Sequence, residues 1–344
     1  MGKKTPLTFQ IDLAALPAGF HCRRIEANGV GFTAFIWCGG PSALGTTRST
    51  LLINGATHGD EYEGPTLLRQ WAQNWRPKRL QGTVVMVPVL NEVAFYAGAR
   101  CRPDDGANLA RSFPGLRWSA TSGRAGPNRV QARGTPTQRL ALLFDEQLLA
   151  QCTHYADLHS AGTANELDSW AGYIHGVTPS VDRMQKRMAA CFDRFWCWAG
   201  PFLPGRTLSA AAERRIPAIY TECRGAGDIA RADLRALDLG LRRLLLLLGL
   251  VPGKLPRLRA QRIRITRSVR ETHLQVHHLA PHDGLFVPSV KLRDRIRRGQ
   301  PIGEVLALDG AVALVRAEES GRVVMRRLQR SVRRGDALAV IAPV

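Results

Sequence analysis

Residues 50–65 read TLLINGATHGDEYEGP. Thr50 to Asn54 is a short apolar run of strand length and a helical pattern follows from Pro65 to Trp75, so the stretch spells strand, polar turn, helix. Outward from it the alternation continues. Thr83 to Leu90, Tyr155 to His159, Ala171 to Ile174 and Ala218 to Glu222 read as strands, while Pro136 to Cys152, Val181 to Trp196 and Ile229 to Leu250 read as helices. Short apolar runs interleaved with longer helical ones predict an α/β sheet with helices on both faces.

After Val251 the texture changes, because Pro252, Gly253 and Pro256 break the last helix. Arg262 to Ile265, Thr272 to Val276, Gly303 to Leu308, Gly321 to Met325 and Ala337 to Ile341 read as strands separated by turn residues. The expectation is a catalytic-sized domain over residues 1–255 and a small all-β C-terminal domain over 256–344, in keeping with 344 residues at roughly 150 per domain. Thr121 to Gly134, rich in Gly and Arg, reads as a long loop of the first domain.

A hydrophobic share of 45% and a charged share of 22% exclude disordered, collagenous and disulfide-scaffold classes. The net charge is +20, from 48 Lys+Arg against 28 Asp+Glu, and only six of the basic residues are Lys. Half of that excess lies beyond residue 255, where 18 basic residues face 8 acidic ones. Such charge speaks to association and substrate steering, not to fold. The run Arg326, Arg327, Arg330, Arg333, Arg334 lacks interleaved aromatics, so a solvated face is expected and a nucleic-acid partner is not. Seven Cys without C-x-x-C spacing fit small core residues in a reducing compartment. The N-terminus has no apolar signal core. The longest apolar run, Leu244 to Val251, falls far short of the ~20 residues of a membrane helix. A cytoplasmic protein without a membrane partner is expected.

His58 and Glu61 form H-x-x-E just past the first strand, and imidazole nitrogen with carboxylate oxygen suits zinc. His159, in ADLHSAG, supplies a third ligand at the carboxyl end of another strand, the edge where open α/β sheets bind ligands. Two imidazoles and one carboxylate leave a fourth position open, the pattern of a catalytic zinc. Asp157, two residues before His159 on the same side of its strand, is placed to fix a ligand imidazole.

HGDE (58–61), NEVAFYAGAR (91–100), RPDDGANLARSFPG (102–115), DLHS (157–160) and IPAIYTECRG (216–225) occur in this order. With them the chain resembles the succinylglutamate desuccinylase/aspartoacylase family of zinc deacylases, relatives of the zinc carboxypeptidases. The likeness covers about residues 45 to 250, and VPSVKLRDRIRRGQPIGEVLA with ESGRVV is similar to the family's C-terminal β-domain. The resemblance implies a mixed, zinc carboxypeptidase-like sheet and one zinc (Zn2+) on His58, Glu61 and His159. It also implies Glu222 as general base, Arg100 polarising the scissile carbonyl, and Arg111 with Asn108 on the substrate side. The chain departs from the family's Asp-Leu-Asn-Arg, reading Asn108, Leu109, Ala110, Arg111. Ala110 has no hydrogen-bonding group, so a weakened clamp on the substrate carboxylate is expected. Glu92 stands where Pro commonly follows Asn91.

The expected activity is zinc-dependent hydrolysis of the amide bond of an N-acyl amino acid or related small N-acyl amine. A carboxypeptidase acting on short peptides and a disabled binding protein on the same scaffold stay open as alternatives, as does self-association into a homo-oligomer. Taken alone, Glu222 also fits a buried ion pair with Arg224 or Arg215. His273, His277, His278 and His282 lack a carboxylate or Cys at ligand spacing and read as solvated or half-buried residues, while His154 and His175 read as structural.

Overall fold

The computed structural model describes residues 11–40, 49–115, 134–261, 263–266 and 276–342. The strands in chain order are β1 Gly19–Ala27, β2 Val30–Cys38, β3 Thr50–Gly55, β4 Thr83–Val87, β5 His154–Ser160, β6 Asn165–Leu167, β7 Trp170–Ile174, β8 Trp196–Gly200, β9 Ala218–Cys223 and β10 Ile263–Ile265. The helices are α1 Glu63–Asn74, α2 Glu92–Tyr96, α3 Pro136–Gln147, α4 Pro179–Ala190, α5 Thr207–Glu213 and α6 Arg231–Leu247. Nine strands form one sheet in the order β1-β2-β4-β3-β5-β9-β7-β8-β10. β4, β3, β5 and β9 run parallel, β7 runs antiparallel to β9, and the β1/β2 hairpin adds an antiparallel edge. The sheet is therefore mixed, as expected.

Period-2 alternation sorts the core onto two faces. Leu52, Val85, Tyr155 and Ala218 face α3 and α5, whose Leu140, Phe144, Ala210 and Ala211 cover them. Leu51, Val84, Ala156 and Ile219 face the other way, under Leu68 and Trp71 of α1, Met188 of α4 and Leu241 and Leu244 of α6. Each element ends for a local reason. Pro88 cannot donate to the ladder and stops β4, and Gly249, at φ +67°, terminates the α6 segment. The expected helix Val181 to Trp196 stops at Ala190, and Trp196 instead opens β8, a short buried strand. An apolar run of that length carries no period that separates strand from helix.

The C-terminal part is all β, with β11 Gly284–Pro288, β12 Arg295–Ile296, β13 Pro301–Leu306, β14 Val312–Arg316, β15 Gly321–Arg327, β16 Ser331–Val332 and β17 Ala339–Ala342. They form the sheets β14-β13-β11-β16 and β12-β15-β17 around a core that includes Phe286, Ile302 and Leu338. Two strands cross the expected boundary at 255/256. Ile263–Ile265 pairs with Cys197–Ala199 and extends the nine-stranded sheet, because the open edge of β8 offers it backbone partners. In the other direction, Asn165–Leu167 pairs with Met325–Arg327. Glu166 lies between Arg326 at 2.5 Å and Arg224 at 3.2 Å, and Trp170 and Trp198 pack with Val324, Met325 and Val340. The expected strand Thr272 to Val276 and loop Thr121 to Gly134 lie outside the described residues, apart from Val276 and Gly134. Among the described residues no helix is long and apolar enough to cross a membrane.

Candidate active site

The site forms at the carboxyl edge of the central strands. The chain leaves β3 through Ala56 at φ +47° and turns so that His58 and Glu61 come back over the sheet. Gly59 permits this turn, since a Cβ there would lie 2.1 Å from the Ala94 carbonyl carbon in α2. His159 projects from β5, and its register partner on β9 is Glu222, whose partner on β7 is Trp170. One bond of the sheet ladder thus sets the third ligand candidate beside the base candidate.

Both imidazoles turn Nδ1 toward Glu61: His58 Nδ1 lies 2.7 Å from Oε1 and His159 Nδ1 lies 2.9 Å from Oε2. The ligand atoms of His58, Glu61 and His159 all lie within 4.8 Å of one another, the one such group of His, Cys, Asp or Glu among the described residues. The far ring nitrogens are held as well. Asp157 Oδ2 sits 2.9 Å from His159 Nε2, and Asn108 Oδ1 sits 3.1 Å from His58 Nε2. When Nε2–H donates outward, Nδ1 keeps its lone pair, and that is the tautomer a metal ligand needs. Two nitrogens and a carboxylate converging with their lone pairs inward fit a divalent zinc.

Burial drives the charge off His58, with help from the Arg100 guanidinium, and lowers its pKa to about 4. His159 is buried too, yet Asp157 and Glu61 outweigh burial and hold it well above the usual range. Burial also opposes the charge on Glu61, but the two histidines keep it well below the ordinary carboxylate range. Glu222 moves the other way: burial, aided by Glu61, raises it to about 8 against the pull of His159 and Arg100.

A cavity of about 130 Å³ opens on the triad, and its lining includes His58, His159, Glu222, Arg100, Arg111 and Arg206. Arg100 Nη1 donates to Glu61 Oε1 at 3.1 Å. Arg111 donates to the Ala110 carbonyl at 2.8 Å, and burial with the nearby Arg206 and Arg100 lowers its pKa to about 10. Asn108, expected on the substrate side, is not among the lining residues; its Oδ1 accepts from the Ala110 amide at 2.9 Å as well as facing His58. Arg224 turns away from Glu222 to Glu166. The ring nitrogens of His278 meet the Ala339 carbonyl and the Glu318 amide, a structural role, while His273 lies outside the described residues.

Sequence reasoning missed Arg206. It precedes α5, its Nε is buried without a hydrogen-bond partner among the described residues, and it lines the cavity beside Arg111. Among so many arginines nothing local marks it; the Pro204-Gly205 turn that aims it is the one available signal.

Residues 47–248 match the family model described as the succinylglutamate desuccinylase/aspartoacylase catalytic domain. The chain belongs to this family. It is 31% identical over 302 residues, 86% of this chain and 82% of the relative, to an N-alpha-acetyl-L-2,4-diaminobutyric acid deacetylase of Halomonas elongata. A family member's fold recurs in solved structures. A succinylglutamate desuccinylase from Silicibacter sp. TM1040 superposes with TM-score 0.82 at 24% identity, over 100% of both chains. The ectoine utilization protein EutE (DoeB) from Ruegeria pomeroyi, with product bound, gives 0.82 at 24% identity, over 99% of this chain and 100% of that one.

Proposed function

We propose that this chain is a zinc-dependent deacylase that hydrolyses the amide bond of an N-acyl amino acid, releasing a carboxylic acid and a free amine. The observation that carries the reading is the convergence of His58 Nδ1, His159 Nδ1 and Glu61 beside a cavity that Glu222 also lines. The deacetylase relative and the family model support the same chemistry. His58, Glu61 and His159 hold the zinc, which when bound supplies Lewis acidity to polarise a carbonyl and make water acidic near neutral pH.

The chain's own residues do the rest. Asp157 and Asn108 fix the two imidazoles. Glu222, in its ionised form, accepts a proton from the attacking water and delivers it to the leaving nitrogen. Arg100, already anchored on Glu61, faces the carbonyl oxygen as negative charge develops there. Arg111 and Arg206 receive the substrate carboxylate, the second guanidinium standing in for the donor that Ala110 lacks. Retention of the whole set favours an enzyme over a disabled binding scaffold.

The test is amine release by the zinc-loaded protein from acetyl, succinyl and longer N-acyl amino acids. Hydrolysis of at least one class is expected, and no release from any of them at high enzyme concentration rejects the reading.

A further inference from the structure

Past Glu222 the cavity is lined mainly by ring and aliphatic side chains. By register, Trp170, Gly172 and Ile174 on β7, Trp198 on β8, and Tyr220 and Glu222 on β9 share one face of the sheet. Gly172 is what lets the Tyr220 ring lie down across β7, because a Cβ at that position would sit 2.2 Å from Tyr220 Cε1. The Trp170 and Trp198 rings pack at 5.1 Å and are backed by Val324 and Met325 of the C-terminal part. Leu203 and Leu208 also line the cavity.

The charges at this cavity are arranged against a cation. Arg100, Arg111 and Arg206 line it, and among the described residues the one carboxylate in its lining is Glu222. Arg264 already lies over Trp198, 4.8 Å from the ring centroid, so that π face carries a cation of the protein's own. A substrate ammonium here would lose its water next to guanidinium groups with no free counter-charge. An apolar group meets neither of these costs, and the rings of Trp170, Trp198 and Tyr220 offer it flat apolar surface.

We propose that the chamber of Trp170, Trp198, Tyr220, Leu203 and Leu208 receives an uncharged, ring-sized apolar group of the substrate, so that the chain prefers N-acyl amino acids carrying such a group and rejects those with a second ammonium. This rests on the deacylase reading, and it separates the chain from the activity for which its Halomonas relative is named. The apolar group belongs either to the amino acid or to the acyl moiety.

The zinc-loaded full chain is assayed for kcat/KM on N-acetyl-L-phenylalanine, N-benzoylglycine, N-acetylglycine and N-acetyl-L-2,4-diaminobutyrate. One of the first two should exceed both of the others by roughly 10- to 200-fold, the range that small differences in apolar contact produce. A lead for the phenylalanine compound places the group on the amine side, and a lead for the benzoyl compound places it on the acyl side. Gly172→Ala, whose Cβ would displace the Tyr220 ring and press on the Trp198 carbonyl, should cut that preference over N-acetylglycine at least about tenfold with zinc content and circular dichroism unchanged. Should Gly172→Ala not fold, Trp198→Leu is read for the same loss. A flat ranking, a lead for the diaminobutyrate compound, or a preference untouched in the folded variant overturns the proposal and leaves the deacylase reading standing. Hydrolysis of none of the four, or of any wider panel, removes both.

Discussion

Replacing Asp157 by Asn removes one charge and changes almost no volume, yet the geometry leaves the amide no way to satisfy its neighbours. Oδ1 accepts from Asn54 Nδ2 at 2.9 Å and Thr57 Oγ1 at 3.0 Å, while Oδ2 accepts from Thr207 Oγ1 at 2.6 Å and faces His159 Nε2 at 2.9 Å. With NH2 in the place of Oδ2, the Thr207 hydroxyl can rotate to accept, but His159 Nε2–H cannot. The imidazole must then lose that bond or move its proton to Nδ1, the nitrogen needed for the metal. With NH2 in the place of Oδ1, it opposes the Asn54 amide, whose own oxygen is already held by Tyr155 Oη at 2.6 Å. Losing an outer partner of a ligand histidine typically weakens metal affinity ~10- to 100-fold, or about 1.4 to 2.8 kcal/mol. Asp157→Asn should therefore raise the zinc Kd by about that factor in competition with a chelator, while kcat at saturating zinc falls much less. A zinc Kd within about twofold of wild type would show that Asp157 does not set the His159 tautomer.

Further outcomes follow from the same geometry. Glu222→Gln should retain zinc and fold but lose turnover by ~100- to 10,000-fold, as removal of a general base does; near-normal kcat places the base elsewhere. Arg206→Ala should lower kcat/KM for an N-acyl amino acid ~10- to 150-fold relative to its carboxamide, the worth of a hydrogen bond to a charged group; equal losses on acid and amide remove Arg206 from the carboxylate site. Glu166→Ala should cost about 1.5 to 3 kcal/mol in urea unfolding, because it strands Arg326 between the two parts of the chain; a loss below about 0.5 kcal/mol would mean that the β6–β15 junction holds without the ion pair.

How far the sequence could be read depended on how local each signal was. β3, β5 and β9 were legible because buried parallel strands are short apolar runs, and the metal candidates sit at their ends, where H-x-x-E and DLHS stand out. Asp157 could be placed by strand alternation alone. The β1/β2 hairpin went unread, although Asn28 and Gly29, both at positive φ, supply its two-residue turn. β6, three residues long, went unread, and β10 was legible as a strand but placed with the C-terminal part, because their partners, Met325–Arg327 and Cys197–Ala199, are revealed by nothing near them in sequence. Asn108 was found by motif but its use was not: whether its oxygen meets a substrate or His58 depends on a turn between residues fifty apart. Arg206 and the Trp170–Trp198 floor become visible only when β7, β8 and β9 are laid side by side.

The dependence of catalysis on one zinc held by His58, Glu61 and His159 is tested most directly by adding zinc stepwise to metal-free protein while bound metal and amine release are measured on the same samples. Hydrolysis should rise in step with occupancy and level off at about one zinc per chain, with the His58→Ala/His159→Ala double variant binding none and remaining inactive. Full activity of the metal-free protein, or equal zinc in the wild type and the double variant, would contradict the assignment.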